Sequence, residues 1–88
     1  MKKAIITVVG KDAVGITAKV CVFLAEQQVN ILDINQTIVD GYFNMMMIVD
    51  VTNAKFDVLG DGLTAIGEEI GVVIHCQRED IFNKMHRI

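Results

Sequence analysis

The chain has 88 residues, 52% of them hydrophobic, with a net charge of −3 and a mean hydropathy of +0.45. So short a chain makes one domain, residues 1–88, whose apolar inventory exceeds what it can bury alone, so a homodimer is the expected outlet. The acidic balance excludes a nucleic-acid partner, and apolar runs far below the roughly 20 residues of a bilayer span exclude a membrane helix. Lys2 and Lys3 lead straight into an apolar strand rather than a signal peptide, which predicts a cytoplasmic protein.

Lys3 to Val9 is rich in β-branched residues, is apolar on both faces, and predicts a central strand that ends at Gly10. From Gly15 to Gln28, Ile16, Val20, Phe23 and Leu24 recur at helical spacing and predict an amphipathic helix. Val29-Asn30 breaks that pattern. Ile31 to Val39 then reads as a strand half open to water, with Leu32, Ile34 and Ile38 on one side and Asp33, Asn35 and Thr37 on the other. Asp40-Gly41 is a hairpin signal. Tyr42 to Val51 follows as a strand with one fully apolar face, whose methionines read as flexible core filler. Thr52-Asn53 is a candidate cap for a second amphipathic helix carrying Phe56, Leu59, Leu63, Ile66 and Ile70, with Gly71 as its end cap. Val72 to Arg78 is a last strand, and the stripe Ile81, Phe82, Met85 and Ile88 predicts a short terminal helix.

This order is the βαββαβ frame of an α+β, ferredoxin-like sandwich: a four-stranded antiparallel sheet with two helices on one face and a short C-terminal helix. Ile5, Val9, Val39, Met46, Ile48 and Val73 are expected near or on the face away from the helices, and the terminal segment at or beside a dimer interface. Such a fold hosts many activities, so particular residues must decide between them. The open face lacks the stacking aromatics of an RNA-binding sheet. The loop after the first strand lacks the Cys-x-x-Cys of a metal chaperone, the arginine of an acylphosphatase and the lysine of a P-loop. His75 and Cys76 are neighbours on a strand and point to opposite faces, so they cannot act as a pair; a half-buried histidine is the expectation. Cys21 and Cys76 read as buried small hydrophobes.

The stretch Val8 to Thr17 joins a strand to a helix through Gly10 and Gly15, two residues able to take positive φ. Amides of such a turn and of a first helical turn favour a carboxylate or phosphate. Asp12 and Asp33 could meet at one end of the sheet as acceptors. The residues Val9-Gly10-Lys11-Asp12-x-x-Gly15-Ile16, Leu24-Ala25-Glu26, Asn30-Ile31-x-Asp33-Ile34-x-Gln36-Thr37 and Phe43-x-Met45 resemble the ACT domain family. More narrowly, the chain is similar to the stand-alone ACT proteins catalogued as UPF0237.

The resemblance covers essentially the whole chain and implies a regulatory fold that binds amino acids or other small effectors, usually between two ACT units. By position it puts a ligand loop at Asp12, Ala13, Val14, Gly15 and Ile16, and a second wall at Asn30 and Ile31. The chemistry suits an amino acid, whose carboxylate would take loop amides and whose ammonium would take side-chain oxygens of Asn30 or Asp33. The expected function is a non-enzymatic module, without cofactor or metal, that acts as a homodimer or by docking on a metabolic enzyme. The competing expectation is an adaptor that binds a protein through its apolar sheet face, with no small ligand.

Overall fold

The computed structural model describes residues 1–79 and consists of β1 (Lys3–Lys11), α1 (Ile16–Glu26), β2 (Asn30–Val39), β3 (Tyr42–Asp50), α2 (Phe56–Ile70) and β4 (Val72–Arg78). The terminal helix expected around Ile81 to Ile88 lies outside the described residues. The strands form one antiparallel sheet in the order β2-β3-β1-β4, so β1 is central, as its two apolar faces require.

Alternation along each strand assigns its faces. Ala4, Ile6 and Val8 of β1 and Phe43, Met45, Met47 and Val49 of β3 are buried with Ile16, Val20, Leu24, Leu59 and Leu63 from the helices, so the two helices share one face of the sheet. The methionines at 45 and 47 fill this core. On the other face the register sets Ile5 beside Ile48 and Gln77, Thr7 beside Met46 and His75, and Val9 beside Asn44 and Val73.

Several local features differ from the sequence expectation. Gly10 stays within β1 and does not take positive φ; it is glycine because a Cβ there would come within 2.7 Å of Val72 Cγ1. Thr52-Asn53 does not cap α2, whose N-cap is Lys55 without a side-chain bond. Thr52 instead accepts the Lys2 amide at 2.9 Å and donates both its hydroxyl and its own amide to Asp50, which holds that carboxyl below the usual aspartate range. At the far end of α2, Gly71 is left-handed at φ 78 and its amide closes on Gly67, as expected of an end cap. Asp40 and Gly41 both have positive φ, the conformation of a two-residue hairpin turn.

Candidate functional site

The loop begins where β1 pairs Lys11 with Tyr42. The Asp12 amide donates to the Gly41 carbonyl at 2.9 Å, which ties the loop to the β2–β3 hairpin. Asp12, Ala13, Val14 and Gly15 are exposed, and Gly15 sits at φ 87 as the N-cap of α1. That left-handed cap is the one place in the loop where glycine is required by conformation. Its carbonyl accepts the Lys19 amide at 2.9 Å and opens the helix.

Among the described residues, no side-chain cap and no first-turn acid neutralises this end of α1, whereas α2 begins with Asp57. The first-turn amides therefore keep their partial positive charge. Ile16 contributes only backbone, because its side chain is buried in the core.

Asn30 and Ile31 lie elsewhere. Asn30 pairs with Asp50, which pairs with Lys3, whereas Lys11 and Val39 both pair with Tyr42. The loop and the start of β2 are thus at opposite ends of the sheet within one chain, about 25 Å apart at the rise of a strand. The same register separates Asp33, opposite Ile48, from Asp12, so the two aspartates do not meet. Asn30 is not the cap of α1 either. Gln27 caps the helix and Gln28 takes φ 59, with the Val29 amide on the Leu24 carbonyl and the Gln28 amide on that of Ala25. Asn30 is exposed and Ile31 half-buried against the core.

Two further features adjoin the loop. An open groove of about 630 Å³ runs between α1 and α2 from Val14 and Gly15 along Ala18, Val22 and Phe23, with Lys19 and Glu69 ion-paired nearby. The Thr17 hydroxyl donates to Gln36 Oε1 at 3.0 Å, linking the first turn of α1 to β2. The sequence signal for the groove is Val22, an apolar residue off the buried stripe of α1 and exposed here. The Thr17–Gln36 link carries no such signal, because it depends on the placement of a helix over a strand.

β2 is an edge strand, and every residue from Leu32 to Val39 is exposed. Ile34 and Ile38 pair with Met47 and Phe43 and so share the helix face, yet neither α1 nor α2 buries them. A bulge between Ile31 and Asp33 drops Leu32 out of the alternation. His75 is exposed rather than half-buried, and Cys76 points the other way, toward α2, where burial pushes its thiol up to about 11. Cys21 and Cys76 are both free and half-buried.

The ACT domain family model matches residues 2–77. The chain belongs to the ACT domain family. A UPF0237 protein of Bifidobacterium longum is 62% identical over 90 aligned residues, covering all of both chains. An ACT domain protein from Streptococcus pneumoniae is 45% identical with a TM-score of 0.82, over 92% of this chain and 93% of that one. The regulatory subunit of aspartate kinase from Thermus thermophilus is 26% identical with a TM-score of 0.69, over 88% of this chain and 51% of that one. The matched family is a domain family and not a catalytic one. No helix among the described residues is long and apolar enough to cross a membrane.

Proposed function

We propose that this ACT domain is a non-enzymatic regulatory module that binds a small effector, an amino acid, in a site shared between two copies of the chain. The observation that carries this reading is the separation of the two walls: the exposed loop Asp12 to Gly15 at one end of the sheet, Asn30 and Ile31 at the other. A two-fold axis beside β2 would pair the two β2 edges antiparallel, carrying the start of one strand to the end of the other. That symmetry brings the start of β2 of a second copy to the end of the sheet that carries the loop Asp12 to Gly15. β2 is suited to such pairing: it is an edge of 10 residues with exposed Ile34 and Ile38 and no proline.

Each half of the site supplies one kind of partner. The uncapped α1 terminus offers amides to the effector's carboxylate, and the Asn30 and Asp33 side chains of the other copy offer oxygens to its ammonium. The aspartate kinase relative is by its name a regulatory subunit, which supports a regulatory reading. The output is then exerted by docking on a metabolic enzyme. Two free thiols suit a reducing cytoplasm.

A thermal-shift screen against the common amino acids tests this directly. A ligand at about 100 times its dissociation constant adds about 2.7 kcal/mol to the native state, which for a domain of this size is a rise of about 10 °C or more. A uniform absence of shifts would favour the adaptor reading, in which Val9, Val73 and Tyr42 on the open face meet a protein partner.

A further inference from the structure

The start of α1 has two unlike sides. On one side the Thr17 hydroxyl reaches Gln36 of β2. The other side faces α2. Lys19 pairs with Glu69 and Phe23 lies over Gly62, so α2 runs antiparallel to α1 and brings its last turns beside Gly15. From the loop inward, the groove between the helices is therefore walled by Val14 and Ala18 on one side and by Ile70 and Ile66 on the other. Val14 is fully exposed and Val22, farther along, is exposed as well, so apolar surface stands in water beside the loop. Charge in the groove is sparse. Of its described lining residues only Lys19 and Glu26 are charged. Lys19 is held by Glu69, and Glu26 lies at the far end of α1, about 16 Å from Gly15 at the helical rise.

We infer that this groove receives the side chain of the effector and restricts it to amino acids with a large aliphatic or aromatic side chain, such as leucine, methionine or phenylalanine. The inference rests on the shared-site reading above, from which it takes the carboxylate on the first-turn amides of α1 and the ammonium on the oxygens of a second copy. Those oxygens approach from the β2 side, so the side chain of the effector is left the α2 side, where Val14, Ala18 and Ile70 meet it. An apolar side chain gains there by leaving water together with the exposed apolar wall. A polar or charged one gives up water and finds no partner, because Lys19 is already held by Glu69 and Glu26 is out of reach. A groove of about 630 Å³ has room for the largest of the apolar side chains.

Calorimetric titration of the full chain with single amino acids tests this. The tightest of leucine, methionine and phenylalanine should bind about tenfold or more tighter than alanine, because it carries more apolar area out of water. Serine, aspartate and lysine should bind no tighter than alanine. Ala18→Phe, at an exposed position of α1, fills the groove without entering the core. It should weaken the best apolar ligand about tenfold or more and leave alanine unchanged, and a ligand-free melting temperature close to that of the parent confirms that the variant folds. Tighter binding of serine, aspartate or lysine than of every apolar amino acid would overturn the inference while leaving the shared site standing. So would an apolar ligand whose affinity Ala18→Phe does not change. If no amino acid binds at all, the shared-site reading fails and this inference fails with it.

Discussion

Gln28 is held at φ 59 to close α1, a conformation that a side chain with a Cβ adopts at a cost of about 1 kcal/mol. The closing hydrogen bonds from Val29 and Gln28 are backbone bonds that glycine keeps, so Gln28→Gly should raise stability by about 0.5–1 kcal/mol after its extra chain entropy is counted. A higher urea midpoint at unchanged slope is the check. Cys76 makes a pH-dependent contribution of known sign. Below its ordinary value of 9.0 the thiol is protonated folded and unfolded alike; from there to about 11 only the unfolded chain gives up the proton. Stability should fall as pH rises through that window, by about 1 kcal/mol once partial exposure is allowed for. Cys76→Ala should flatten the difference between urea midpoints at about pH 8 and about pH 11. The sequence indicated that His75 and Cys76 face opposite ways, since strand alternation is local. It did not indicate how far each is covered, which depends on the elements packed above them.

Within α2 two glycines of equal helix propensity have different surroundings. A Cβ at Gly60 meets nothing within 4 Å, whereas one at Gly62 would come within 2.1 Å of the Phe23 ring of α1. Gly60→Ala should therefore gain about 0.5–1 kcal/mol, and Gly62→Ala should lose about 1–2 kcal/mol because the half-buried ring has to move. Opposite shifts in melting temperature for this pair would show that close helix packing at Gly62 offsets its poor propensity. Sequence periodicity placed the six described elements, five of them on a clear apolar repeat. β2 was the hardest to read: its alternation is broken by a bulge at Leu32, and Ile34 and Ile38, which look like core positions, are exposed, whereas Val72 and Ile74 of the other edge strand are buried under α2. Caps were the other difficulty. Thr52 has the chemistry of a cap, but Lys2 and Asp50 engage it, and Lys55 takes the N-cap position of α2.

At the scale of the molecule, the sequence offers Asp12 to Ile16 and Asn30-Ile31 as candidates but does not show their separation. Asp12 to Ile16 and Asn30-Ile31 are close in chain order, and only the antiparallel register of β1, β3 and β2 sends them to opposite ends of the sheet. A site that uses both must be completed by a second chain. The most direct test mixes two defective variants. Gly15→Val distorts the left-handed cap of α1, and Asn30→Ala removes the second wall; each alone should lose binding of the amino acid that gives the largest thermal shift. In a mixed dimer, one site has the intact loop of the Asn30→Ala chain and the intact Asn30 of the Gly15→Val chain. Mixing the folded variants in equal amounts and measuring calorimetry at saturating effector should restore binding to one site per mixed dimer, with the affinity of the parent protein. No restoration on mixing, or full binding by either variant alone, would contradict a site shared between two chains.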